Sequence, residues 1–548
     1  MRIRLILAAI ALGLAPAAAL AQAAPPRAPA EPVFTAEGIK AHVDFLADDL
    51  LEGRDAGTRG HEIAARYVAT RFEALGLKPG GTNGGWYQQM PLAVYSLDAD
   101  APASVMVGDK KFENRADVLI AASPRSGDGL QTVTAAAVFV GYGEEADYAG
   151  LDVKGKFAVM LVGTPKGQDA AKEDRGIVAR DHGAAGILYV LSDLDARKMN
   201  WAAAGAYFTR EQTNWLGPNG APNGIDPGVK IGGYVKATAA AALFAGSPMT
   251  AEQVFAAAAA PDGARPKGFA LKPRVTVTRT NRVRIVETPN VIGILPGADP
   301  RLASEYVVLS AHLDHEGTDP NLPGPDKIYN GAMDNAAGVA TMLEAARAFA
   351  ESGKRPKRSI LFVALTAEED GLLGSDYLAH YPVVGSGRVV ADVNLDMPIL
   401  LYDFKDVVAF GAEHSTLGPI VSRAAARMGV TLSPDPVPEE QLFVRSDHYS
   451  FVKAGVPSVF LVTGFANGGE KAFRDFLAHN YHKVSDQSDQ PINWQAGAKF
   501  AQINYLIARE IADGAEAPRW YEGNSFGDRY APGQPRAPAP PPPAPAKP

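Results

Sequence analysis

Four short stretches of this chain, 307–310, 360–365, 389–395 and 458–462, are apolar along almost their whole length. Each is the size of a β-strand, and helical segments lie between them. A strand that is apolar on both faces has no side to offer water, so such runs belong inside a sheet covered by helices above and below. Buried strands alternating with helices give an α/β fold with a mixed, largely parallel central sheet. In open sheets of that kind, ligands bind beyond the carboxyl ends of the strands. The residues just past these runs are therefore where chemistry is expected.

The rest of the chain divides around this core. Residues 35–80 read as helical: Ala41, Phe45, Leu46 and Leu50 recur at helical spacing, and Ala65, Val68, Phe72 and Leu75 mark the face of a second helix. Gly76, Pro79, Gly80 and Gly81 end it. From about 105 to 260, short β-type runs at 136–141, 157–162 and 186–191 are separated by Gly-rich turns, which predicts a smaller inserted domain. Thr250 and Gln253 predict a capping box for a helix to about Ala260, and 261–268 reads as a linker. The expected organisation is a first part of the main domain at 33–104, an insert at 105–262 and the main part at 270–520. Residues 531–548 are rich in Pro and Ala and predict an extended, unpacked tail.

The first 21 residues read as an export signal. Arg2 and Arg4 precede the uncharged apolar run 5–14, and Ala19-Leu20-Ala21 offers small residues for cleavage. An N-terminal anchor is the other reading, but the run is short for a bilayer. The chain has no cysteine, which excludes disulfides, thiol nucleophiles and thiolate metal ligands. Export without disulfides suits a bacterial periplasmic or secreted protein. A net charge of -8 argues against nucleic acid as the partner. The mature chain is expected to be soluble.

Ionisable residues gather past the strand ends. The first run leads into His312-Leu313-Asp314-His315, where alternation keeps His312 and Asp314 on one side. That pair suits a metal ligand and a carboxylate that fixes its tautomer, or equally a solvated loop. Asp334 and Asn335 precede an Ala-rich helix and could simply cap it. Glu368, Glu369 and Asp370 come after the second run; three adjacent acids repel one another unless a cation or a helix N-terminus offsets them. Asp396 ends the third run, where a buried charge needs a partner. Tyr481-His482 lies in a later loop. Together these residues form an inventory of His and carboxylates suited to zinc or a related divalent ion.

These stretches resemble the M28 family of metallopeptidases. The similar segments are His312-Leu313-Asp314, Gly331 through Gly338, Glu368 through Ser375, Asn394-Leu395-Asp396-Met397 and Tyr481-His482, in the family's order. Leu46-Ala47-Asp48-Asp49, Leu51-Glu52-Gly53-Arg54 and Gly57-Thr58 match its N-terminal segment. The resemblance covers about residues 35–515. It implies a phosphorylase/hydrolase-like zinc exopeptidase fold and two zinc ions per chain. His312 and Asp396 would bind one, Glu369 and His482 the other, and Asp334 would bridge them. Glu368 would be the general base, Asp314 would orient His312, and Tyr481 would polarise the substrate carbonyl. His315 would be a supporting or structural residue. The bond between Asp334 and Asn335 is expected to be cis. The insert resembles a protease-associated (PA) domain through Val140-Gly141-Tyr142-Gly143, Val153-Lys154-Gly155-Lys156 and Gly183-Ala184-Ala185-Gly186.

The implied activity is an aminopeptidase acting on peptides. A carboxypeptidase on the same scaffold is the alternative; it would need a basic residue such as Arg445, although a structural ion pair is the plainer role for it. A non-catalytic receptor or binding protein would lack a ligand or the base, and neither is missing here. A single-zinc acyltransferase does not suit a bridged set of five ligands.

Overall fold

The computed structural model describes residues 32–166, 168, 174–224, 229–260 and 265–540. The expected signal peptide, residues 261–264 of the expected linker and residues 541–548 lie outside the described residues. No helix among the described residues is long and apolar enough to cross a membrane.

The four apolar runs become the strands Glu305–His312, Ser359–Leu365, Arg388–Leu395 and Ser458–Thr463. They lie side by side in the order 359–365, 305–312, 388–395, 458–463, and each neighbouring pair is parallel. Antiparallel strands border the group on both sides, Val275–Leu295 on one and Asp406–Phe410 on the other. The expected sheet is thus present, parallel at its centre and mixed at its flanks.

Both faces of this centre are covered, which explains the lack of alternation in the sequence. Val307, Leu309 and Ala311 share a core with Val339, Phe349 and Ile507. Val308, Leu361 and Val363 point the other way and share a core with Leu378 and Phe451. The helix Ala337–Glu351 is buried nearly all round, pressed between the sheet and the helices Ala36–Leu46 and Trp494–Asp513. Its Ala-rich sequence fits that place, because small side chains let neighbouring helices approach.

The stretch 105–262 is more divided than its texture suggests. Val118–Ile120, Ala137–Phe139, Phe157–Leu161, Gly186–Val190 and Ile231–Val235, with Phe269–Ala270, make a second sheet of six strands. Four of these are parallel neighbours, and the two edge strands are antiparallel. Lys110–Glu113, Gly129–Ala135, Gln212–Trp215 and the adjoining Ser104–Val107 instead join the main sheet. The link is the 275–295 strand, whose 21 residues pair with the 104–107 and 129–135 strands at one end and with 359–365 at the other. The capping box expected at Thr250 is present, with Thr250 and Gln253 bonded reciprocally.

The C-terminal segment is packed further than its composition predicts. Ala531 and Ala537 are buried. The Ala537 amide donates to the Trp520 carbonyl at 2.9 Å, and the Arg536 guanidinium donates to the carbonyls of Gly527 and Ala531. Proline has no N–H, but Arg536 and Ala537 keep theirs, and that suffices to hold residues up to 537.

Candidate functional site

The strand ends converge as the fold requires. His312 is the last residue of its strand, Asp396 comes directly after another, and Glu368 and Glu369 lie three and four residues past a third. Asp334 sits in the turn just before the 337–351 helix, and His482 comes from the loop after the helix Gly469–His479. Asp334 stands at the centre. Its Oδ1 lies 3.2 Å from His312 Nε2, which is also 3.2 Å from Asp396 Oδ1. Its Oδ2 lies 3.3 Å from His482 Nε2, which is 3.1 Å from Glu369 Oε2. One buried carboxylate therefore faces two separate pairs, each of one imidazole and one carboxylate. All five residues expected as metal ligands are together, and the Asp334-Asn335 bond is cis.

The electrostatics result from this crowding. Burial alone would raise Asp334, but hydrogen bonds from His312 and His482 draw it well below the usual carboxylate range. Burial, joined by the charges of Glu369 and Asp396, pushes Glu368 well up despite the opposing pull of His312. Burial would lower His312, yet Asp396, Glu368 and Asp334 hold it well above an ordinary imidazole. Asp314 is pushed up to about 8, mainly by burial. Buried acids that outnumber the imidazoles and the one guanidinium beneath them are the condition a divalent cation relieves.

Two buried polar atoms beside the cluster, Asp314 Oδ1 and His315 Nε2, have no hydrogen-bond partner. The available atoms are nitrogen and carboxylate oxygen, the set that suits zinc when no thiolate exists. Among the described residues, the groups close enough to share one ion are His312 with Asp334 and Asp396, His312 with Glu368 and Glu369, His315 with Asp334 and Glu369, and Glu316 with Glu369 and His482. His315 is thus inside the cluster, its Nδ1 2.7 Å from Glu369 Oε1. His482 also reaches Glu316 Oε1 through Nδ1, at 3.0 Å.

Asp314 is placed differently from the expected arrangement. His312 Nδ1 meets the backbone carbonyl of Asp314 at 3.3 Å, while the Asp314 carboxylate accepts from the Glu369 amide at 3.2 Å. The Asp314 carbonyl, not its carboxylate, is the group within hydrogen-bond distance of the ring. Asp314 thereby ties the His312 loop to the Glu368-Glu369 loop. Ala367 and His482 both adopt positive φ, 52° each. Left-handed backbone in residues with a Cβ costs roughly 1–2 kcal/mol and gathers at functional sites.

Some contributors carried no usable signal in the sequence. Asp486 accepts from the amides of Met333 and Asp334 at 3.0 Å each and fixes the turn that presents Asp334. It is one acid in a polar loop, and no periodicity marks it. Ser446 donates to Asp396 Oδ2 at 2.7 Å and receives Asn394 Nδ2 at 2.7 Å. Asp447 beside it is fully buried and pushed up to about 7, chiefly by burial.

Beyond these residues the site opens into a pocket lined by Met397, Phe410, Leu442, Phe460, Phe473 and Tyr481. Burial raises the Tyr481 hydroxyl above its ordinary value. Glu440 and Arg445 also line the pocket, paired at 3.4 Å. The 212–215 strand reaches the loop after Glu369, where Thr213 Oγ1 donates to Asp370 at 3.2 Å. Trp215 Nε1 and Asn223 Nδ2 both donate to Asp376.

Residues 290–508 match the model of Peptidase family M28. A probable zinc metalloprotease of Pyrenophora teres f. teres is 38% identical over 113 residues, 20% of this chain and 23% of that protein. Aminopeptidase NAALADL1 of Mus musculus is 32% identical over 145 residues, 25% of this chain and 17% of that protein. The chain thus spans about a quarter or less of the length of these curated relatives. The solved structure of an aminopeptidase from Aneurinibacillus sp. strain AM-1 covers 88% of this chain and 95% of its own, with 21% identity and a TM-score of 0.49.

Proposed function

We propose that this protein is an exported di-zinc exopeptidase, an aminopeptidase that removes residues from the N-termini of peptides. The observation that carries this reading is Asp334, one carboxylate whose two oxygens face two separate His–carboxylate pairs. The match of residues 290–508 to a peptidase family supports it. His312 and Asp396 would hold one ion, Glu369 and His482 the other, with Asp334 shared. When bound, the ions supply Lewis acidity and bring the pKa of water towards neutrality.

The residues around them do the rest. Glu368 lies within reach of His312 and Glu369 but belongs to neither pair, a place that suits a general base. It takes the proton of the attacking water and delivers it to the leaving amine. Tyr481, at the pocket wall, donates to the oxyanion that develops on the substrate carbonyl. Asp314 and Asp486 hold the Glu368-Glu369 and Asp334 loops. The apolar pocket accepts a substrate side chain. The inserted stretch, read as a PA-like domain, would border the entrance. After signal cleavage the protein would act free of membrane and nucleic acid, in a bacterial periplasm or outside the cell.

Arg445 at the pocket gives the carboxypeptidase reading one specific foothold, since it could meet a substrate carboxylate. Hydrolysis of unblocked aminoacyl-nitroanilides and of N-blocked peptides separates the two. The expected result is chelator-sensitive release from unblocked substrates, restored by zinc. Cleavage of N-blocked peptides alone would replace aminopeptidase with carboxypeptidase, and no cleavage of either would favour a binding role. Glu368→Gln should lower kcat by about 10²–10⁴-fold while zinc content holds.

A further inference from the structure

Arg54 has no part in the chemistry above, yet it is among the largest fully buried side chains, 1% exposed. It closes the segment Leu51-Glu52-Gly53-Arg54, in which Glu52, Gly53 and Arg54 have φ of 49°, 69° and 56°. Three successive left-handed residues, two of them with a Cβ, are costly backbone. Gly53 is required: a Cβ there would lie 2.2 Å from the Gly317 carbonyl oxygen. This turn drives the guanidinium inward beneath the acidic cluster.

Its hydrogen bonds are unusual for a buried arginine. Nε donates to the Leu313 carbonyl at 2.9 Å, Nη1 to those of Asn330 at 2.6 Å and Leu46, and Nη2 to that of Gly331 at 3.0 Å. These partners are all backbone carbonyls, although carboxylates are the usual match for the planar fork. Leu313 stands between His312 and Asp314. Asn330 and Gly331 open the turn that leads to Asp334. The backbone repeats the link: the His315 amide donates to the Arg54 carbonyl, and that of Gly317 to the Gly53 carbonyl. Asn330 Nδ2 donates back to the Ala47 carbonyl and to Asp49. Burial lowers Arg54 to about 10 against the pull of Asp314, Asp486, Asp334 and Glu369, so it stays charged at neutral pH.

We propose that Arg54 is a positioning residue for the metal centre, a single rigid fork that fixes the His312 loop against the Asp334 loop. The inference rests on the di-zinc reading above. Two loops that carry ligands for the same ion must hold their spacing before it arrives, or ion binding must order them. A planar guanidinium bonded to both removes that freedom, and a lysine, a point charge on a flexible stem, does not.

The test is zinc affinity, measured by chelator competition for wild type, Arg54→Lys and Arg54→Gln, with circular dichroism and the thermal midpoint of each metal-free protein. Both variants are expected to fold and to bind zinc about 10–100-fold more weakly, with Lys closer to wild type. If Arg54→Gln does not fold, Arg54→Lys decides, since it keeps length and charge. A folded Arg54→Lys with wild-type zinc affinity would overturn the positioning role alone. A wild type that binds no zinc would overturn the di-zinc reading and this inference with it.

Discussion

Gly338→Ala offers a sharp test of how the fold sets the site, because local propensity and the structure give opposite signs. Gly338 is the second residue of the 337–351 helix. Alanine there should gain about 1 kcal/mol of helix propensity. A Cβ, however, would lie 2.1 Å from Asn335 Oδ1 and 2.3 Å from the Leu395 carbonyl oxygen. Neither neighbour is free to retreat. Asn335 Oδ1 accepts from the amides of Gly338 and Met397, and Asn335 Nδ2 donates to Leu395 O at 2.9 Å. Ordinary contact begins near 3.5 Å, so the helix start must move by roughly 1 Å from the end of the 388–395 strand. Overpacking of this kind costs about 1–3 kcal/mol, and each strained hydrogen bond about 1 more. With one to three of these hydrogen bonds strained, net destabilisation of about 1–5 kcal/mol is expected after the propensity gain. Asp334 and Asp396 are the chain neighbours of Asn335 and Leu395, so the same shift separates ligands. A displacement of about 1 Å can cost about 10²-fold in rate. Urea unfolding of the metal-free protein and kcat/KM of the zinc-loaded one read the two effects. A variant at least as stable as wild type, with unchanged kcat/KM, would refute the reasoning.

Three further outcomes are expected. Asp486→Asn puts an amide against the Met333 and Asp334 N–H groups and should weaken zinc binding about 10–100-fold, read by chelator competition; unchanged affinity would deny Asp486 its hold on Asp334. Burial keeps His61 and His448 neutral, each drawn down to about 3 from an ordinary 6.5. The unfolded chain gains a proton at each below about pH 6.5 and the folded chain does not, so stability is full above that pH. It is lost as pH falls towards 3, at up to about 1.4 kcal/mol per pH unit for each His. His448→Gln should remove one share of that slope in urea titrations between about pH 5.5 and 4; an unaltered slope would exclude His448 as a source. Trp215→Ala empties a site packed by Tyr377 and Tyr381 and removes one of the hydrogen bonds to Asp376, and should lower stability by about 3–5 kcal/mol in urea unfolding; a loss below about 1 kcal/mol would mean the 212–215 strand is not anchored there.

The centre of the fold was legible because it obeys a local rule, and the His and acids at the strand ends with it, whereas grouping Asp334 and His482 with them came from the family resemblance. Runs such as 360–365 announce strands buried on two faces, and parallel strands put their ends on one edge. Residues just past those ends are then close in space: His312, Glu369 and Asp396 are separated in sequence yet meet around Asp334. The supports were not legible, for a matching reason. Asp486 and Ser446 act through hydrogen bonds to residues far off in the chain, and nothing in their own neighbourhoods records the partners. The role of Asp314 shows the same limit. Spacing places it beside His312, but only the folded backbone decides that its carbonyl, not its carboxylate, meets the ring. The stretch 105–262 reads as one unit by texture, while its division between two sheets depends on pairings with residues after 274.

That dependence sets the order in which the molecule can be made. The strand at 275–295 is the shared partner of Tyr87–Leu97, Ser104–Val107 and Gly129–Ala135. During synthesis these segments emerge first and wait, with Tyr87 unable to meet Val291 until some two hundred more residues have appeared. The waiting edges are rich in β-formers and open to wrong partners. The gene segment for the insert is likewise not a cassette that can be lifted out. Its removal would strip residues 275–281 of their companions and leave a bare, sticky edge on the half that remains.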